Sequence, residues 1–215
     1  MYDGKTIWFV IRGIAGHPSD QLEWEYEGRD ILILTTGRPA VAVSYATTFL
    51  TVWNRRHWRA RQFARVLRKF TARDYRVHIL AHSEGTVVAV DSMKLAGWPR
   101  VESVHLVCGA CDSDFHRNGL NEAVRTGCIG RVHCYMAGED EAMWWENLDL
   151  GKILFGIPLR SRSLGLKGPR NVDDAVRSQI IEHRDAPWDN YDHSTCWETG
   201  KIEATLLQVM ANAHA

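Results

Sequence analysis

The chain has no net charge to act over distance: its 215 residues carry 26 lysines and arginines against 26 aspartates and glutamates. That balance excludes a nucleic-acid groove binder or a general binder of anionic surfaces, since both draw affinity from excess basic charge that releases counterions. Nothing near the start reads as a secretory leader, because the first apolar run, Ile7-Trp8-Phe9-Val10-Ile11, is short and meets Arg12 at once. A long apolar run is also lacking. The stretch Ile31 to Trp53 holds one charge, but Gly37-Arg38-Pro39 divides it into pieces too short to span a bilayer. It reads as two buried strands and a helix start, and no membrane span is expected. Five cysteines, an odd number outside a small secreted framework, point to reduced thiols, so the expected compartment is the cytoplasm. There is no internal repeat and no low-complexity tract.

What is present is an ordinary globular composition, 45% apolar and 24% charged, at a length where folding buries roughly 70% of the unfolded surface. A single domain over residues 1–215 is expected. Short β-branched runs at Thr6 to Ile11, Ala40 to Tyr45, Arg76 to Ala81, Val101 to Val107 and Arg131 to Met136 alternate with helical stretches. That alternation predicts an α/β fold, a mostly parallel sheet with helices on both faces. The longest helix is expected from Phe49 to Phe70, with Phe49, Val52, Trp53, Ala60, Phe63, Leu67 and Phe70 on one stripe. The arginines on its other face read as a solvated side. A second helix is expected over Gly85 to Ala96, stopped by Gly97 and Pro99. Glycines and prolines between Leu150 and Arg170 mark an irregular excursion.

The richest chemistry lies in Arg76-Val77-His78-Ile79-Leu80-Ala81-His82-Ser83-Glu84-Gly85-Thr86-Val87-Val88. A strand runs into Ala-His-Ser-Glu-Gly and directly into a helix, the setting in which a G-x-S-x-G-like match is a nucleophile elbow. Small residues two before and two after the serine are physically needed, because both pass close to neighbouring backbone. Ala81 and Gly85 meet that need. The plainer alternative is a serine capping the helix at Gly85.

These residues resemble the elbow of the α/β-hydrolase superfamily, with Ala81 in place of the commoner first glycine. The runs Val104-His105-Leu106-Val107-Cys108-Gly109-Ala110-Cys111-Asp112-Ser113-Asp114-Phe115 and Arg131-Val132-His133-Cys134-Tyr135-Met136-Ala137-Gly138-Glu139-Asp140-Glu141-Ala142 extend the similarity to a small bacterial branch of serine hydrolases. The resemblance implies a three-layer α/β-hydrolase fold; the short gap between the Val101 to Val107 strand and a helix near Asn118 leaves no place for a large cap domain, and a first strand at Thr6 leaves none for extra leading strands, so a trimmed version is expected. It says little about substrate, since this fold hosts many chemistries.

In such a fold the chain order is serine, acid, histidine. Ser83 is then the nucleophile. Asp140, after the strand Arg131 to Met136 and before a helix near Glu141, is the expected acid; Asp112 and Asp114, just after the preceding strand, are the alternatives, with Glu139 behind them. His193 is the expected base, between a strand near Val176 to Glu182 and a closing helix near Glu198 to Ala213. His183 sits too close to that strand's end, and His82 reads as a packing residue. The oxyanion hole is expected from the backbone N–H groups of Glu84 and of Ile14, in the turn Arg12-Gly13-Ile14-Ala15-Gly16.

Together these imply ester hydrolysis through an acyl-enzyme, on a small-molecule or polymeric ester, with no cofactor and no metal. Cys108-Gly109-Ala110-Cys111, with His105 and His116 nearby, invites a zinc or redox reading. A single C-x-x-C whose first cysteine ends a buried strand weighs against it. A thioesterase or amidase with the same triad, or a non-catalytic binding protein on the hydrolase fold, are the rival functions. The tryptophans near Asp140 and His193 are candidate walls of an acyl pocket, a role that core packing also explains.

Overall fold

The computed structural model describes residues 5–13, 24–43, 52–137, 163–185, 187–188, 191, 195–198 and 201–214. Six strands, β1 (Thr6–Ile11), β2 (Ala40–Val43), β3 (Arg76–His82), β4 (Val101–Val107), β5 (Ile129–Tyr135) and β6 (Ile180–His183), form one all-parallel sheet. Their order is β2-β1-β3-β4-β5-β6. The described helices are α1 (Trp24–Thr36), α2 (Val52–Thr71), α3 (Glu84–Leu95), α4 (Leu120–Arg125), the one-turn α5 (Leu164–Lys167) and the closing α6 (Ile202–His214). This is the α/β architecture expected from the alternation of strands and helices, a parallel sheet with helices on both faces. No described helix is long and apolar enough to cross a membrane.

The sheet is buried on both faces, and the period-2 alternation of its strands divides the core. Ile7, Phe9 and Ile11 of β1 pack with Phe63 and Leu67 of α2 and with Val87, Val88 and Met93 of α3. Trp8 and Val10 point the other way, into a cluster with Leu32 of α1 and Leu206, Val209 and Met210 of α6. The chain moves outward from β1 to β2, then returns past β1 to β3 and steps across to β6. That reversal puts the topological switch point between β1 and β3, and α/β sheets bind their ligands beyond the carboxyl ends of strands at such points.

The α1/α6 face carries a buried polar row beside its apolar cluster. His78 Nδ1 lies 2.7 Å from Ser103 Oγ, which lies 2.8 Å from His105 Nε2, and His105 Nδ1 is 3.0 Å from the Tyr135 hydroxyl. Asn212 of α6 donates to that same hydroxyl at 3.1 Å. Aromatic faces fill the gaps: Trp8 stacks on His78 at 4.6 Å, and His105 stacks on His133 at 4.6 Å and 5°. His133 Nδ1 meets His183 Nε2 at 3.2 Å.

Two expectations are corrected. Ile31 to Thr36 is the second half of α1, not a buried strand, and only Leu32 of its apolar run is buried while Leu34 is 84% exposed. Four adjacent apolar residues carry no period, so they do not distinguish strand from helix. The strand expected from Val176 begins only at Ile180, because Asp174–Gln179 is a 3-10 helix that buries Val176 alone. Elsewhere shifts are small: α3 starts at Glu84, and β5 begins at Ile129, two residues before the expected Arg131.

Burial, with His183 and Arg131 nearby, pushes the His133 imidazole down to about 4, and burial also lowers His183. An unfolded histidine protonates near ~6.5. Between those values the unfolded chain takes up more protons than the folded one, so stability is lost as pH falls from about 6.5 toward 4. Denaturant titrations at stepwise pH should show that loss, of order 2–3 kcal/mol if the whole shift is expressed. His133→Phe, which keeps the stacked ring and removes the proton site, should flatten this part of the profile; an unchanged slope would contradict the assignment.

Candidate active site

Ser83 joins β3 to α3 with φ 53° and ψ −128°, a left-handed backbone unusual for a residue bearing a side chain. Such a conformation costs about 1–3 kcal/mol and persists only where the surroundings over-determine it. They do so here. The Ser83 N–H donates to the Val107 carbonyl at 3.0 Å, and the Ser83 carbonyl accepts from the N–H groups of Thr86 (3.0 Å) and Ala110 (3.2 Å) and from the Thr86 hydroxyl (2.6 Å). Thr86 Oγ1 in turn accepts from the Cys111 N–H at 3.1 Å. The elbow is thereby fastened to β4 and to the loop beyond it. The alternative of a serine capping α3 fails, since no side-chain capping bond is formed.

Two glycines explain how the elbow fits. A Cβ on Gly85 would stand 2.6 Å from the carbonyl oxygens of Ile11 and Arg12, so α3 reaches the end of β1 only without a side chain there. A Cβ on Gly13 would stand 2.6 Å from Ser83 Cβ and 3.1 Å from Ser83 Oγ. The backbone leaving β1 therefore runs directly against the serine side chain. Glu84 begins α3, whose first-turn N–H groups have no acceptor within the helix and make the end of the helix electropositive. Ser83 itself is 8% exposed, at the carboxyl edge of the sheet and at the switch point between β1 and β3.

Of the remaining expected site residues, Asp140, His193, Ile14 and Glu139 lie outside the described residues. The alternative acids are described, and their carboxylates are engaged in the loop after β4. Asp112 accepts from the Asp114 N–H (3.0 Å) and from Arg117 (3.4 Å). Asp114 accepts from the N–H groups of His116 and Arg117 (both 3.1 Å) and from the Asn171 amide (2.9 Å). The Arg117 backbone bond, opposed by some burial and aided by Asn171, His116 and the Arg117 charge, lowers its carboxyl below the usual range. Both residues also form β-bridges, Asp112 with Ser163 and Asp114 with Arg170, which tie the two ends of the 163–170 stretch to this loop. Only residues 108–119 separate β4 from α4, so no cap domain is inserted there.

His183 closes β6 and stacks on Tyr135 at 4.3 Å, on the sheet face away from α2 and α3. His82 is buried, with its ring edge-on to Trp197 at 5.6 Å. The part of Thr86 in holding the elbow was not anticipated, and its one signal in the sequence is a hydroxyl three residues after the serine, within reach of the Ser83 carbonyl.

No family model matches the chain, and no curated protein matches it. Among solved structures it is similar to an uncharacterized protein from Bacillus cereus ATCC 10987, with a TM-score of 0.57 and 11% identity over 100% of this chain. The alignment covers 62% of that protein, so the chain spans less than two thirds of its length. A cutinase-like protein from Cryptococcus sp. aligns at a TM-score of 0.47 and 11% identity, over 97% of this chain and 94% of its own. At such identity the Bacillus cereus structure bears on the fold alone.

Proposed function

We propose that the chain is a serine hydrolase that cleaves carboxylic esters through Ser83, His193 and Asp140. The observation that carries this reading is the left-handed Ser83 at the carboxyl edge of the sheet, with Gly13 against its side chain and Gly85 against the end of β1. Strain of that kind concentrates where a side chain must be presented for chemistry.

On this reading His193 accepts the Ser83 hydroxyl proton as Oγ attacks the ester carbonyl, and Asp140 holds the imidazole in the required tautomer. The N–H groups of Glu84 and Ile14 stabilise the oxyanion. His193 then returns the proton to the leaving alcohol, and water attacks the acyl-enzyme to release the acid. Two features support the assignment of Glu84 and of the turn after β1: Glu84 opens a helix at the serine, and the Gly13 backbone packs against Ser83 Oγ. The bonds that Asp112 and Asp114 make within their own loop favour Asp140 over either as the acid. An uncharged ester also suits a chain with no net charge.

Turnover of a chain-length series of chromogenic esters should fall roughly a millionfold in Ser83→Ala, with the fold intact by circular dichroism. Activity that survives the change, or failure of a serine-directed phosphonate to label the wild type, would sink the mechanism. Gly13→Ala should lower kcat about a hundredfold or more by displacing the turn from the serine, much as loss of one oxyanion donor does. In wild-type protein kept folded, kcat/KM should decline below about pH 6.5 as the base protonates. A profile flat from about pH 5 to 8 would remove His193 from its role.

A further inference from the structure

His82, Cys108 and Cys196 bring an imidazole nitrogen and two thiol sulfurs within 4.8 Å of one another. The three come from separate parts of the chain: the last residue of β3, the first residue after β4, and the 3-10 turn Thr195–Trp197 before α6. All are buried, at 7%, 0% and 0% exposure. We propose that these side chains form a zinc site that braces the segment before α6 against the carboxyl edge of the sheet.

The donor set sets the class of metal. Two soft sulfurs and one imidazole suit zinc, whereas calcium and magnesium take oxygen ligands. With Zn–S near ~2.3 Å and Zn–N near ~2.0 Å, tetrahedral ligand atoms stand roughly 3.5–3.8 Å apart, inside the 4.8 Å that bounds the separations of these three side chains. Three protein ligands leave a fourth position for water.

Charge and surroundings agree with this. Cys108 and Cys196 sit in the cluster that contains Leu80, Val107, Tyr135 and Trp188, an apolar setting that penalises isolated charge. Zinc with two thiolates and a neutral imidazole carries no net charge, so the loaded site suits the cluster. Each thiol loses its proton to solvent as its sulfur bonds the metal, and no electron is transferred.

The C-x-x-C pair is not this site. Cys108 packs on the α1/α6 face of the sheet, whereas Cys111 packs in the cluster of α2 and α3. One consequence rests on the hydrolase reading: His82 directly precedes Ser83, and Cys196 follows His193 by three residues, so the ion would link the chain on both sides of the proposed chemistry. Metal binding itself does not depend on that reading.

The test is metal content of the full chain dialysed after exposure to zinc, together with the thiolate-to-metal absorption of cobalt(II) added to the metal-free protein. The wild type should hold about one zinc per chain and show the cobalt band. Cys108→Ser and Cys196→Ser should each lose about tenfold or more in affinity, while Cys111→Ser and Ser83→Ala bind as the wild type does. A chelator should lower the wild-type unfolding temperature and leave that of Cys196→Ser unchanged. Absence of stoichiometric zinc and of the cobalt band in wild-type protein, zinc retained undiminished in both serine variants, or a Cys108–Cys196 disulfide in protein kept under reducing conditions would each overturn the site.

Discussion

Ser83 holds a backbone conformation that residues with side chains avoid, and three neighbouring segments are shaped around it. The end of β1 must bring Gly13 against the serine side chain, α3 must start with a residue that admits Gly85 next to the Ile11 and Arg12 carbonyls, and the loop after β4 must supply the Val107 carbonyl and the Ala110 N–H. None of these fits can relax without disturbing the other two. Thr86 closes the arrangement by bonding both the Ser83 carbonyl and the Cys111 N–H.

The two faces of the sheet are stabilised by different physics. Beneath α2 and α3 the contacts are aliphatic and aromatic, with Phe63 edge-on to Phe9 at 5.1 Å, and their free energy follows the area removed from water. Beneath α1 and α6 the row from His78 through Ser103 and His105 to Tyr135 adds directional bonds between groups that would be costly to bury alone. His133 marks the limit of that design, since its Nε2 is buried without a hydrogen-bond partner among the described residues.

Strong local signals were legible from the residues alone. β1 and β4 occupy the spans their β-branched runs predict, and the Ala-His-Ser-Glu-Gly elbow stands between a strand and a helix as its pattern requires. Ile31 to Thr36 is ambiguous because a short apolar run looks the same in a helix as in a strand, and the first part of α1, Trp24-Glu25-Tyr26-Glu27-Gly28, offers only Trp24 and Tyr26, too few to form a helical stripe. The pressure of Gly13 on Ser83 and the meeting of His82 with Cys196 depend on tertiary contacts between distant segments, which local pattern does not encode. The Cys108-Gly109-Ala110-Cys111 spacing does not bring its own two thiols together: Cys108, at a positive φ, packs in the cluster on the α1/α6 face and Cys111 in the cluster beneath α2 and α3.

The row of imidazoles and hydroxyls under α6 also bears on how the strands find one another. A purely greasy strand surface tolerates sliding, since one methyl group packs much like the next. In β4 and β5 a slip of one residue would turn Ser103, His105, His133 and Tyr135 toward α2 and α3, where the surrounding cluster is apolar, and would bring Val104 and Val132 under Asn212. Misaligned pairings therefore strand several buried polar groups at once, and the sheet's shear is fixed by chemistry as well as by shape.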